Sequence, residues 1–183
     1  MPELDVLAAE LGTSGRTLRR AATRGAIRCT RPSERRIVVS PREYDYVRRQ
    51  WPLLGRLVAE LRTQPNVRLA VVFGSVARGE ENLASDLDLL VRLRRDGFRE
   101  RADLKRRLEA VSGRRVQLVG LGEVEPAPVL LRDILHDGRV LVERDGDWQK
   151  LKRRERQVGR QAADAERRLD EEAWTVLEDL DAG

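Results

Sequence analysis

The chain has 183 residues, of which 40% are hydrophobic and 37% charged, with a formal charge of +5. That length holds one ordinary domain or two small ones, and the apolar content supports a folded core rather than disorder. One cysteine (Cys29) and one histidine (His136) exclude an internal disulfide and a structural zinc site. No apolar run approaches the roughly 20 residues that span a bilayer, so the expectation is a cytoplasmic protein without a membrane partner.

In chain order, residues 4–11 predict a short helix with Leu4, Leu7, Ala8 and Leu11 on one face. Gly12 ends it, and Thr13-Ser14 can cap a second helix over 15–24. Two short helices around a tight glycine turn form the helix-turn-helix pattern. Residues 26–29 and 36–39 then predict two strands of a basic wing. A helix follows over 41–62, with a kink or break at Pro52, which lacks the amide proton that helix continuity needs. Gln64-Pro65-Asn66 is the predicted boundary, giving a module 1–64 ahead of a domain 65–147.

Beyond it the rhythm alternates: strands at 67–73, 87–93, 115–119 and 139–143, with helices at 98–111 and 126–136. The rest, 148–180 within a segment 148–183, reads as one long charged helix, interrupted if anywhere at Gly159. Its stripe of Val158, Ala162, Ala165, Leu169, Ala173, Val176 and Leu180 suits self-packing or a homodimer. The predicted fold class is therefore α/β (α+β): a winged helix-turn-helix, then a mixed sheet flanked by helices.

Charge is concentrated at the front. Up to Pro65 there are thirteen arginines against seven acidic residues, whereas from Asn66 onward 23 basic residues meet 24 acidic ones. A surplus confined to one module points to a polyanion partner. Arg16, Arg19, Arg20 and Arg24 on the second helix, with Arg35 and Arg36 on the wing, are the candidate DNA contacts. The plainer alternative is a packing module whose arginines only solvate a face. Cys29 reads as a small apolar residue, and His136 as an ordinary helix-end residue.

The informative segment is Phe73-Gly-Ser-Val-Ala-Arg-Gly, followed by Asp86-Leu-Asp88. A strand delivers the chain to Gly74-Ser75, where a missing side chain and a hydroxyl let backbone amides approach phosphate oxygens. Asp86 and Asp88 straddle Leu87 on a strand, so both carboxylates share a face. Two hard oxygen donors facing a phosphate-sized space suit Mg²⁺. This segment, with the run over 67–143, closely resembles the minimal nucleotidyltransferases of the DNA polymerase β superfamily, whose signature is Gly-Ser, ten residues, then Asp-x-Asp. The resemblance implies a mixed sheet that binds NTP·Mg²⁺, with ATP as donor, and transfers a nucleotidyl group. It implies Gly74 and Ser75 on the terminal phosphates, Arg78 and Ser85 as further nucleotide contacts, and Asp86 and Asp88 on metal.

One departure stands out. Active relatives carry a third carboxylate on the following strand, and the matching residue in Arg115-Val-Gln-Leu-Val119 is Gln117, an amide that cannot act as a general base. Glu123, just past the strand, is the one nearby substitute. Two readings follow: an enzyme that nucleotidylates a protein or RNA hydroxyl, or a regulator that binds DNA and a partner and transfers little. The resemblance further implies an antitoxin role beside a HEPN-type toxin. Small-molecule nucleotidylation of the aminoglycoside type is disfavoured, because no second lobe for the acceptor follows Glu143.

Overall fold

The computed structural model describes residues 4–33, 36–82 and 85–181, with backbone only at 32–33, 36 and 172–181. Helices α1 (Leu4–Glu10) and α2 (Gly15–Arg24) bury Leu4, Leu7, Leu18, Ala21 and Ala22 against each other and the rest of the core. Ser14 caps α2 by accepting from the Thr17 amide at 3.1 Å. Gly25 closes it at φ +96°, a left-handed geometry that favours glycine.

A two-stranded antiparallel hairpin follows, β1 (Thr30–Ser33) and β2 (Arg36–Val38). The strand predicted over 26–29 begins only at Thr30. Its amides bond elsewhere: Ala26 N–H to Ala21 O at 3.0 Å and Arg28 N–H to the Glu43 carboxylate at 2.9 Å. With donors spent on a helix cap and a side chain, those residues have no ladder to join.

Helix α3 (Pro41–Thr63) runs unbroken through Pro52. An interior proline costs about 3 kcal/mol. Full burial of Leu54 and Leu57, with Trp51 and Leu53 nearly so, contributes about 1.5–3 kcal/mol for each large side chain and outweighs it.

The central sheet has the order β5-β4-β3-β6: β3 (Val67–Phe73), β4 (Leu87–Leu93), β5 (Val116–Gly120) and β6 (Arg139–Glu143). β3 pairs antiparallel with both β4 and β6, while β4 and β5 run parallel. Parallel pairing needs a crossover, supplied by α5 (Phe98–Ser112). Alternation along the strands creates two cores. Leu87, Leu89 and Val91 join the cluster that includes α1, α2 and α3. Leu90, Leu69 and Val71 join Leu131, Ile134, Trp148 and Val158 on the opposite face. The first cluster runs across position 64 without a gap, so module and sheet share one core.

Two further boundaries differ from expectation. The helix predicted over 126–136 starts two residues later: α6 (Leu121–Val124) is a separate short helix, and α7 (Pro128–Asp137) is the second. Pro128 starts the second and disfavours helical backbone at Ala127, which sits at φ −108°, ψ 80°. The C-terminal segment breaks at Arg154 rather than Gly159, giving α8 (Asp147–Arg153) and α9 (Glu155–Asp181). The break lets Trp148 and Leu151 of α8 and Val158 of α9 reach the same core. The first part of the stripe is therefore self-packed, with Val158 and Ala162 buried and Leu169 exposed. No helix among the described residues is long and apolar enough to cross a membrane.

Candidate functional site

The strand β3 ends at Phe73, which lies opposite Asp88 in the antiparallel register. The chain turns directly into the five-residue helix α4 (Gly74–Arg78). Gly74 adopts φ +70°, and a Cβ there would lie 2.6 Å from Asp88 Oδ2. Both facts require glycine: the backbone favours it, and the space a methyl would fill is occupied by the Asp88 carboxylate. Ser75 is half-buried beside it, and no described residue bonds its hydroxyl.

β4 carries Asp88 beside Gln117 of β5 in the parallel register. Gln117 Nε2 donates to Asp86 Oδ2 at 2.6 Å, and Arg115 Nε lies 3.6 Å from the same oxygen. The Asp88 carboxylate makes no hydrogen bond or ion pair with another described residue. Its pKa is raised above the usual carboxylate value, first by burial and then by the Asp86 charge, while Arg78 pulls it down. The structure thus brings Gly74, Asp86, Asp88 and Gln117 together.

The other predicted contacts sit differently. Arg78 is exposed and turned to Glu80 at 2.6 Å and Asp137 at 3.5 Å, which raises its pKa. Ser85 Oγ accepts from the Asn82 amide at 2.9 Å and donates to its side-chain oxygen at 3.2 Å, closing the loop before β4. Glu123 does not substitute for the missing carboxylate. One of its oxygens accepts the Gly120 amide at 2.8 Å and the other pairs with Arg101, and these two bonds lower its pKa.

The Asp86–Asp88 donor set fits one divalent cation. Mg²⁺ takes one or two carboxylates plus substrate phosphates, and Asp88 keeps its lone pairs uncommitted while the Asp86 charge repels it. No group of three or more His, Cys, Asp or Glu side chains among the described residues forms a richer site.

On α2, Arg16 and Arg20 are exposed and unpaired among the described residues, whereas Arg19 binds Asp5 at 2.7 Å. Arg24 is half-buried. Arg35 lies outside the described residues, as does the side chain of Arg36. His136 is exposed at a helix end, 2.8 Å from Asp137, and Cys29 packs partly buried against the core.

Sequence reading missed a buried polar junction between α3 and β6. Arg139, 2% exposed, donates to both oxygens of Glu43 at 2.6 and 3.0 Å and to Ala77 O at 2.7 Å. Its guanidinium lies 3.4 Å over the Tyr46 ring, and Tyr46 Oη donates to Val76 O at 3.1 Å. The junction therefore reaches α4, one turn from Ser75. Its only local signal was Ser40-x-x-Glu43, which reads as a helix capping box.

No curated protein matches the chain. Among solved structures, a toxin–antitoxin crystal structure with AMP-PNP is similar over 69% of this chain and 97% of the other, at 21% identity and TM-score 0.47. The toxin–antitoxin MntA–HepT is similar over 72% and 98%, at 20% identity and TM-score 0.44. The same values hold for a tri-AMPylated Shewanella oneidensis HEPN toxin in complex with MNT antitoxin. The family model for polymerase beta nucleotidyltransferases matches residues 56–147, half of the chain; the chain belongs to that family.

Proposed function

We propose that this protein is a Mg²⁺-dependent nucleotidyltransferase that moves AMP from ATP to a hydroxyl of a protein or RNA acceptor, and that its N-terminal module binds DNA. The observation that carries the reading is the close approach of the Asp88 carboxylate to Gly74 at the head of α4. A Cβ at Gly74 would sit 2.6 Å from Asp88 Oδ2, and that carboxylate has no hydrogen-bond or ion-pair partner among the described residues. In this reading backbone amides near Gly74 and the Ser75 hydroxyl hold the terminal phosphates. Asp86 and Asp88 hold the cation, which supplies positive charge against the triphosphate. The motif's resemblance to minimal nucleotidyltransferase antitoxins supports a HEPN-type toxin as acceptor, and an attached DNA reader suits control of such a pair. Exposed Arg16 and Arg20, on the second helix of a helix-turn-helix pattern followed by a hairpin, support the DNA role.

One observation favours a second reading, a regulator that binds nucleotide and partner but transfers little. Gln117 stands beside Asp88 and uses its amide to donate to Asp86, so it cannot take a proton from an attacking hydroxyl.

One experiment separates the two. The protein is incubated with Mg²⁺ and α-labelled ATP, with the neighbouring gene product and tRNA as acceptors, alongside Asp88→Ala and Gln117→Asp. Label transfer by the wild type, lost in Asp88→Ala, supports the enzyme. Transfer by Gln117→Asp alone supports the regulator. Unchanged transfer by Asp88→Ala sinks the site assignment.

A further inference from the structure

A cavity of 170 Å³ lies at the seam between α2, α3 and β6. Its body is apolar, lined by Ala21, Trp51, Val58, Ala59 and Val140, and Arg24 and Arg62 also line it. The volume compares with the cavity of about 150 Å³ that admits benzene in an engineered core, so it suits a body of one ring.

Two like charges stand together at the wall of this cavity. Arg24 and Arg62 make no side-chain hydrogen bond or ion pair with any other described residue, and neither does neighbouring Arg20. Arg24 is half-buried, and burial, then Arg62, then Arg20 lower its pKa. Like charges gathered at a partly dry wall are unfavourable until an anion joins them.

Gly55 supplies an independent observation. It sits in the interior of the 23-residue helix α3 and lines the cavity. Glycine there costs about 1 kcal/mol relative to alanine. A Cβ would meet only Trp51, at 3.7 and 3.8 Å, which is ordinary contact, and the backbone is not left-handed. Neither packing nor backbone geometry demands glycine, but its missing side chain leaves the cavity open.

We propose that this seam binds a small aromatic anion, its ring between Trp51 and Val140 and its carboxylate or phosphate held by Arg24 and Arg62. A planar guanidinium suits either head group through paired hydrogen bonds. The site is separate from the Gly74–Asp88 opening and does not depend on nucleotide transfer.

The test is isothermal titration of the full chain with benzoate and with phenyl phosphate, against inorganic phosphate as head alone and benzene as body alone. At least one aromatic anion binds one per chain, about tenfold or more tighter than either half. Arg62→Gln weakens it about tenfold, the scale of one charge-assisted hydrogen bond. Gly55→Leu, which fills the cavity, abolishes it. Which aromatic anion binds more tightly identifies the head group. The proposal is overturned if neither aromatic anion binds, if inorganic phosphate binds as tightly as phenyl phosphate, or if Gly55→Leu leaves binding intact. Should Gly55→Leu fail to fold, Gly55→Ala improves the helix and still narrows the cavity. Weaker binding by it is expected, and undiminished binding overturns the proposal.

Discussion

Gly74→Ala puts a methyl group where the Asp88 carboxylate now lies. Two costs follow, and the structure separates them. The left-handed backbone, φ +70°, costs a non-glycine residue about 1–2 kcal/mol. The new Cβ would then sit 2.6 Å from Asp88 Oδ2, so the carboxylate must retreat by about 0.8 Å to reach ordinary contact. Misplacing a reacting or binding group by about 1 Å costs up to about a hundredfold. Gly113 is the control, with φ +67° and nothing within 4 Å of where a Cβ would sit. Gly113→Ala is expected to lose about 1–2 kcal/mol in urea unfolding and nothing in ligand binding. Gly74→Ala is expected to lose at least as much stability and to weaken Mg²⁺-dependent binding of AMP-PNP, read by calorimetry, by about ten- to a hundredfold. In the Asp88→Ala background the steric part disappears, so adding Gly74→Ala there should cost no more stability than Gly113→Ala does. If Gly74→Ala matches Gly113→Ala in stability and binds AMP-PNP as the wild type does, the opening is not a ligand site.

Three further outcomes are expected. Glu43→Ala strands the buried Arg139 cation, a loss of about 3–5 kcal/mol that lowers the thermal midpoint by roughly 6–20 °C at this chain length; the joint change Glu43→Leu with Arg139→Met should lose less, and the reverse order would refute the assignment. Arg68 and Arg92 hold the Asp145 carboxyl down to about 2, so its stabilisation is full above the usual carboxylate pKa and is lost as pH falls through about 2; an unfolding series should show Asp145→Asn weaker than wild type near pH 6, with the gap closing by about pH 2. If α2 reads DNA, Arg16→Ala and Arg20→Ala should each reduce the salt slope of binding by about one, while Arg19→Ala, which removes a residue already paired with Asp5, should change it less.

What the sequence made legible was local. The apolar pattern in Leu87-Asp-Leu-Leu-Val placed Asp88 on a strand, and the Gly-Ser, ten residues, Asp-x-Asp motif grouped it with Gly74. Hydrophobic period sufficed to locate the four strands of the sheet, though not their order. Helix ends were less legible where tertiary packing outweighed local propensity, as at Pro52, where buried Trp51 and Leu54 hold the helix together. A strand start was misplaced where a backbone donor had a distant partner, as at Arg28, whose amide bonds Glu43. The Arg139–Glu43 junction was invisible for the same reason. Its partners are 96 positions apart; Glu43 alone reads as part of a capping box and Arg139 alone as an ordinary surface charge.

The two carboxylates of the site are not equivalent, and that difference bears on Gln117. Asp86 is engaged by the Gln117 amide of β5 at 2.6 Å and by Arg115, just before that strand, at 3.6 Å. Asp88 faces the glycine gap without a described partner, its charge opposed by burial and by Asp86. A carboxylate at position 117 would add a third negative charge beside this pair, and a cation would then be needed to hold the three together. The amide does the opposite: it donates to Asp86 and lowers the cost of two neighbouring anions. A site built this way tolerates the absence of metal better and holds metal less tightly than one with three carboxylates. Gln117→Asp should therefore raise Mg²⁺ affinity and lower stability in metal-free buffer, whichever way the transfer assay falls.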